Sequence, residues 1–412
     1  MGLYSSFYSS LSGLSANANA LSVIGNDLSN LNTIGFKGSA ASFQDLFAAS
    51  LGATSIQGNG NPIQIGLGTQ LGAINQNFGQ GSFQSTSNVT DMAIQGEGFF
   101  AVQTKDGGAG FTRAGNFTVN KNGALVDPNG NLVKGWNRKG NSLTTNGLSG
   151  PIQVDMGTTS PPAATTNVAT VTNLNANATA GTVYSTPVQI YDSLGASHSL
   201  LFTYTKAASP GTWNTTVTTD GGATVSGYPS SIQFDPKGML TSPTTNPTLS
   251  ISGWPNGATS PPTTWNIATA GAANLTGFSA PSATSGTTQD GFGSGTVRSM
   301  TVDQNGVITG SFTNGQTIPM AQVAIASFAN SAGLAKQGEN MWAETLSSGA
   351  AAIGAANQGG RGAVLGANLE LSNVDVAEEF TRLIINQRGY QANSRVVTTA
   401  DSLLQETLNL IR

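Results

Sequence analysis

Residues 3–21 read LYSSFYSSLSGLSANANAL, and from Leu3 to Asn26 no side chain carries a charge. Domain ends are usually frayed and disposable, whereas this one carries a regular apolar ladder. Leu3, Phe7, Leu11, Leu14, Ala18, Leu21, Ile24, Leu28 and Leu31 recur at steps of three or four. That spacing lines one face of a helix. Gly13 and Gly25 interrupt it, each at about 1 kcal/mol of helix propensity relative to Ala, so the helix needs a partner to hold it. The segment NTIGFKGS, residues 32–39, supplies the stop.

A second ladder closes the chain. In NVDVAEEFTRLIINQRGYQANSRVVTTADSLLQETLNLIR, Ser372 or Asn373 is placed to cap a helix, Asp375, Glu378 and Glu379 occupy its first turns, and Arg412 ends it. These signs suit the helix dipole. Phe380, Leu383, Gln387, Tyr390, Ser394, Val397, Asp401, Leu404, Leu408 and Ile411 alternate steps of three and four, a heptad seam of the coiled-coil kind. Gln387, Ser394 and Asp401 make one seam position polar in three successive heptads. Either the helix is rotated so that they face water, or they fix register or permit sliding between copies.

Between the ladders the sequence is β-rich. VNKNGAL (119–125), VDPNGNL (126–132), FDPKGML (234–240) and VDQNGVI (302–308) share one pattern: Asn or Asp, two variable residues, Gly, then an apolar residue two positions on. This is the chemistry of a type I turn closing through a positive-φ glycine. STPVQIYD and SHSLLFTYT read as alternating strands joined by a turn at Ser193, Leu194 and Gly195, with His198 on a strand surface. GEGFFA (96–101) resembles a phosphate loop, but strand-like segments flank it and no helix follows; it is expected to be a hairpin turn. DPNGNLVKG lacks the sixth-position Gly and twelfth-position Glu of an EF-hand, having Leu132 and Arg138 there.

Composition narrows the function classes. Of 412 residues only 9% are charged, 38% are hydrophobic, and the net charge is -4. Clustered Lys and Arg for nucleic acid are missing. No run of about 18 apolar residues offers a membrane span, and no basic segment followed by an apolar core marks a cleaved signal. With no cysteine and one histidine, His198, disulfides, thiolate chemistry and ordinary zinc sites drop out. His198 has no G-x-S-x-G elbow to work with, so no catalytic, cofactor or metal residues are assigned and the chain is read as a non-enzyme.

The expected architecture is multidomain α+β: terminal α-helices forming a coiled-coil-like inner domain, with nested, mainly antiparallel β domains inserted between them. The Thr-, Ser- and Pro-rich stretches TTSPPAATTNVATVT (158–172) and SAPSATSGTTQDGFG (279–293) mark the joints of an outer insertion. The boundaries drawn are 1–70 with 365–412 for the helical assembly domain and its connecting segment, 71–150 with 290–364 for a middle β domain, and 151–289 for the outer β domain.

GNDLSNLNTIGFKGS, FQDLF, DMAIQGEGFFAVQ, FTRAGNFTVNKNGALVDPNGNLVKGW, FANSAGLAKQGENMW and LELSNVDVAEEFTRLIINQRGYQANSRVVTTADSLLQETLNL, in this order, resemble the rod and hook family of bacterial flagellar axial proteins. The resemblance is dense over about residues 1–150 and 290–412, and the chain length with its long Thr-rich insertion points to the hook branch. It implies a structural subunit that polymerises with itself into a curved tube joining rod to filament. The terminal helices would lie innermost and the β domains outside. It also implies export through the flagellar type III apparatus without a cleaved signal, an extracellular location in the hook, and rod, hook-cap and hook–filament junction proteins as partners. Cofactors, nucleic acid and membrane insertion have no place in it. A distal-rod-type subunit and a secreted β-rich adhesin or carbohydrate-binding protein are the alternatives. The assembly residues would be Leu3, Phe7, Leu11, Leu14, Leu21, Ile24, Leu28, Leu31, Phe380, Leu383, Tyr390, Val397, Leu404, Leu408 and Ile411. Because a pair of terminal helices closes only when the whole chain is present, residues 3–31 are expected to be disordered in the monomer.

Overall fold

The computed structural model describes residues 2–50, 64–139, 143, 149–154, 157, 159–269 and 272–410. The chain divides into two compact units. A terminal unit comprises Met1–Asp155, Met300–Gly310 and Ile318–Arg412, and an inserted unit comprises Met156–Ser299 with Ser311–Thr317.

In the terminal unit both ladders are helices, α1 over Gly2–Ser29 and α2 over Val376–Leu410, and they pack on each other within one chain. The cap of α2 is neither Ser372 nor Asn373. Asp375 Oδ1 accepts the amides of Ala377 at 2.8 Å and Glu378 at 3.2 Å, because only the residue just before the first turn reaches those unpaired N–H groups. Asn373 instead accepts the Gly38 amide at 2.9 Å and donates to the Asn77 carbonyl at 2.8 Å, fastening the entry of α2 to the exit of α1. The stop after α1 ends at Gly35, whose φ is +68°. A Cβ there would lie 2.5 Å from the Ala114 amide nitrogen, so both backbone shape and close approach require glycine.

Behind the helices, antiparallel strands bring distant parts of the chain together. Phe99–Gln103 pairs with Ala109–Thr112 and with Leu132–Asn137, and Leu132–Asn137 pairs in turn with Thr317–Ser327. Ala363–Gly366 pairs with Met92–Gln95, and Asn368–Glu370 with Phe83–Ser85. The expected hairpin at GEGFFA is therefore incorrect: Met92–Gln95 and Phe99–Gln103 belong to different sheets. Gly96 and Gly98, at φ of +104° and +122°, let the chain step from one sheet to the other rather than fold back.

The four Asx–Gly turns form as read. Gly123, Gly130, Gly238 and Gly306 all have positive φ between 74° and 84°. Each donates its amide to the carbonyl of the Asn or Asp three residues before, at 2.9–3.0 Å. The same Asn or Asp side chain accepts amides two and four residues on, as Asp127 Oδ1 does from Asn129 at 3.0 Å and Asn131 at 2.8 Å. Asp192, ahead of Gly195, builds a fifth turn the same way.

The inserted unit places a five-stranded antiparallel sheet, running from Val183–Tyr191 to Leu240–Ser242, over a second sheet centred on Asn167–Asn173. Alternation sets the buried face: Leu200, Phe202 and Tyr204 point into one core with Trp213, Trp265, Leu249 and Val168. Two pairings of Asn167–Asn173, with Thr263–Asn266 and Leu275–Thr276, are parallel, and the other pairings in this unit are antiparallel. The low-complexity stretches stand at the two ends of the inserted unit, and they carry ordered strands rather than loose linkers. Asn167–Asn173 pairs with Ala283–Gln289, and Asp290 Oδ1 accepts the amides of Thr166 and Asn167 at 2.8 and 2.9 Å. Thr suits such pairing because its β-branched side chain fits a pleated surface. His198 is not a free surface residue: its ring stacks on Trp254 at 3.7 Å and meets Asp192 Oδ2 at 3.1 Å.

Candidate assembly site

The face by which α1 meets α2 is made of small residues. Ser10, Gly13, Ala16, Ala20, Ile24 and Asp27 are buried, and the facing residues of α2 include Glu379, Asn386, Gly389, Asn393 and Ala400. Two reciprocal fits define the pairing. A Cβ at Gly13 would lie 2.5 Å from Asn393 Nδ2, and a Cβ at Gly389 would lie 3.0 Å from Asn17 Oδ1. As residue numbers rise on one helix they fall on the other, so the helices are antiparallel. Missing side chains at these two positions make room for the asparagine of the opposite helix. Replacing Gly13 with Val is expected to evict Asn393 and loosen α1 by ~1–3 kcal/mol, read as faster amide exchange over residues 10–27.

The large residues of the ladders mostly stay outside this seam. Ile24 is buried at 5% exposure, while Leu11 is 48%, Phe380 51%, Tyr390 42% and Leu404 36% exposed. Phe7, Leu14, Leu21, Leu28, Leu31, Leu383 and Val397 are half-buried. Leu3 and Leu408 lie on the helices, and Ile411 lies outside the described residues. The face of α2 that meets α1 runs one residue ahead of the heptad read from sequence, through 379, 386, 393 and 400 rather than 380, 387, 394 and 401. Gln387 and Asp401 are exposed and Ser394 half-buried. Tyr8, Ile384, Ile385, Val396 and Leu403 add further exposed apolar surface.

A second element of the site has no counterpart in the sequence reading. The Glu370 carboxylate is fully buried and accepts from Lys37 Nζ at 2.7 Å, Arg113 Nη1 at 3.3 Å, Gln80 Nε2 at 3.2 Å and the Gly81 amide at 2.9 Å. Lys37 Nζ also donates to the Gly79 carbonyl and Arg113 Nη2 to that of Gly96, both at 2.8 Å. The Arg113 guanidinium lies 5.3 Å from the centre of the Phe99 ring. Burial pushes the Lys37 ammonium below its ordinary pKa, and Glu370 opposes that shift. This hub ties the segment after α1 to the segment before α2 and to two strands of the β region. Its one trace in the sequence is a lysine inside NTIGFKGS, in a chain only 9% charged.

Comparison with known proteins divides along these elements. Residues 7–37 match the family described as flagella basal body rod protein, and 366–410 match the flagellar basal body rod FlgEFG protein C-terminal family. Residues 93–176 match the flagellar hook protein FlgE/F/G D1 domain and 159–292 the flagellar basal body protein FlaE D2 domain. The flagellar hook protein FlgE of Borreliella burgdorferi is 34% identical over 443 aligned residues, covering 98% of this chain and 99% of that protein. The chain belongs to the flagellar hook protein FlgE family. The FlgE of Salmonella typhimurium is 32% identical, over 98% of this chain and all of that protein. The crystal structure of Helicobacter pylori flagellar hook protein FlgE2 matches 68% of this chain at 17% identity with a TM-score of 0.49. The basal-body-rod family matches at the two ends of the chain take in Lys37 and Glu370, so the buried hub joins both terminal segments. The D2 match at 159–292 falls inside the inserted unit.

Proposed function

We propose that this chain is the structural subunit of a bacterial flagellar hook, polymerising into a short curved tube that carries torque from rod to filament as a universal joint. The observation that carries this reading is the exposed apolar surface on both terminal helices. Tyr8, Leu11, Phe380, Ile384, Ile385 and Leu403 project from helices that are already paired with each other through small residues. Apolar surface of this extent calls for a partner, and burying it against neighbouring copies contributes about 25 cal/mol per Å². The helices then form a coiled-coil-like inner layer, 1–70 with 365–412. The middle domain, 71–150 with 290–364, and the outer domain, 151–289, follow at increasing radius.

A rotating bent tube lengthens and shortens each row of subunits once per turn. Contacts at large radius must therefore exchange partners cheaply. The outward faces of the inserted unit suit this: Ser185, Thr203 and Thr216 stand side by side across three strands, offering short polar contacts that water can replace at little cost. Export through the type III apparatus and contact with rod, hook-cap and junction proteins belong to the same reading, as does a location outside the cell body. The lack of cysteine leaves a threaded chain free of cross-links. No helix among the described residues is long and apolar enough to cross a membrane.

Removing residues 2–31 is the direct test. Electron microscopy of the full chain under polymerising conditions is expected to show curved tubes, and the truncated chain only dispersed particles. Tubes from the truncated chain would overturn the role given to α1.

A further inference from the structure

The junction where α1 ends against the start of α2 is electrostatically unbalanced. Asp27 is 1% exposed; its Oδ2 accepts the Ser39 amide at 2.8 Å, and its Oδ1 is buried with no hydrogen-bond partner among the described residues. Glu379 is 7% exposed; its Oε1 takes Arg382 Nη1 at 3.1 Å, and its Oε2 is likewise buried with no partner among them. Arg382 is shared, since its Nη2 bonds Glu378 at 2.6 Å. The other nearby cation, Lys336, sits with its ammonium 4.5 Å from the Phe36 ring rather than on either carboxylate. The elements packed here are α1, α2 and the strands Ser39–Asp45 and Ala335–Gly338. They bring three carboxylates, Asp27, Glu378 and Glu379, against two cations, Lys336 and Arg382. Asp45 lies at the far end of its strand, and Asp375 is engaged in capping α2.

We propose that this junction is a proton-operated latch on α1: with Asp27 and Glu379 ionised, α1 docks loosely on α2, and protonation of either carboxyl tightens it. An ionised carboxylate with a buried, unpaired oxygen bears an uncompensated desolvation cost. A protonated one loses the charge and gains an O–H to donate. The two groups also repel each other, so one proton relieves both.

The directions of titration agree with the geometry. Burial raises the Asp27 pKa above the ordinary carboxylate range, against the Ser39 amide, Lys336 and Arg382, which lower it. Burial also raises Glu379; Arg382 opposes, while Asp27 and Glu378 push it further up. A carboxyl raised in the docked state binds its proton more tightly there than when undocked. Docking is therefore strongest at pH below the ordinary carboxylate range, and it weakens as pH rises through the raised values. Above those raised values the latch is open. α1 then remains displaceable in a free chain, available for exchange onto a neighbour, whether or not the assembled object is a hook.

The test is amide exchange on the full chain in dilute solution at pH 3.5 and pH 7.5, corrected for the intrinsic pH dependence of exchange. In the unaltered protein, protection of residues 10–27 is expected to fall between pH 3.5 and 7.5, by up to about tenfold for each unit by which the carboxyl pKa is raised. Asp27→Asn keeps an acceptor for Ser39, and Glu379→Gln keeps one for Arg382. Each is expected to raise protection at pH 7.5 and flatten the profile, and the double variant to abolish the pH dependence. Exchange in the strand Thr317–Ser327 reports whether each variant is folded, and the two independent substitutions guard against failure of one. Protection in the unaltered chain that is flat or rises with pH overturns the latch, as does lower protection at pH 7.5 in both folded variants.

Discussion

Replacing Glu370 with Ala is expected to lower the unfolding free energy of the terminal unit by ~3–5 kcal/mol, the usual cost of stranding buried ionic partners. The carboxylate is paired directly with both Lys37 and Arg113, and Lys37 is as fully buried as Glu370 itself. Without it, two cations share a closed site with the carbonyls of Gly79, Ile94 and Gly96 as their remaining hydrogen-bond acceptors among the described residues. The Gly81 amide and the Gln80 amide group lose an acceptor as well. Glu370→Gln preserves shape but not charge, and should also be destabilising, though less so. Urea unfolding followed by exchange of peptides covering 79–113 would measure both. A Glu370→Ala protein as stable as the original would show that the ion pairs contribute nothing net.

A comparable loss, ~3–5 kcal/mol, is expected in the inserted unit for Trp265→Ala. Trp265 is fully buried on the strand Thr263–Asn266, 4.7 Å from the Phe202 ring and 6.4 Å from that of Tyr204. It bridges the two sheets of that unit, within a core of buried side chains. Trp265→Phe should recover most of the stability because it keeps the aromatic contact with Phe202. Faster exchange in peptides spanning 183–219, which form the facing sheet, is the readout. Undisturbed exchange there in Trp265→Ala would mean that the sheets hold together without it.

What the sequence disclosed about this fold was whatever is encoded locally. An Asx–x–x–Gly turn is closed by the side chain of its own first residue, so Asn120, Asp127, Asp235 and Asp303 could be read one at a time. The terminal ladders were legible for the same reason, since a period of three and four needs no knowledge of the partner. The seam between them was not. Counting large apolar residues finds the widest stripe on each helix, whereas α1 and α2 meet along Gly13, Ala16, Ala20 and Gly389, whose merit is the absence of a side chain. The hub was equally hidden: Lys37 and Glu370 are 333 positions apart, and nothing in either neighbourhood names the other. The step at Gly96 failed as a hairpin because period-two strands on both sides of a glycine pair look alike whether they join one sheet or two.

The reciprocal fit of Asn17 on Gly389 and Asn393 on Gly13 acts as a detent. Sliding α1 by one helical turn, about 5.4 Å, would in one direction set Asn17 against Asn393, amide against amide, with Gly13 opposite Val397 and Gly389 opposite Leu21, and in the other would bring the two glycines together and leave both asparagines without a notch. Intermediate positions fare no better, because each asparagine must climb out of its notch before it reaches another. As long as α1 stays docked, the paired helices therefore behave as a single rod of fixed length. Whatever stretch a bending tube demands has to be found between chains, and each chain keeps its own gauge.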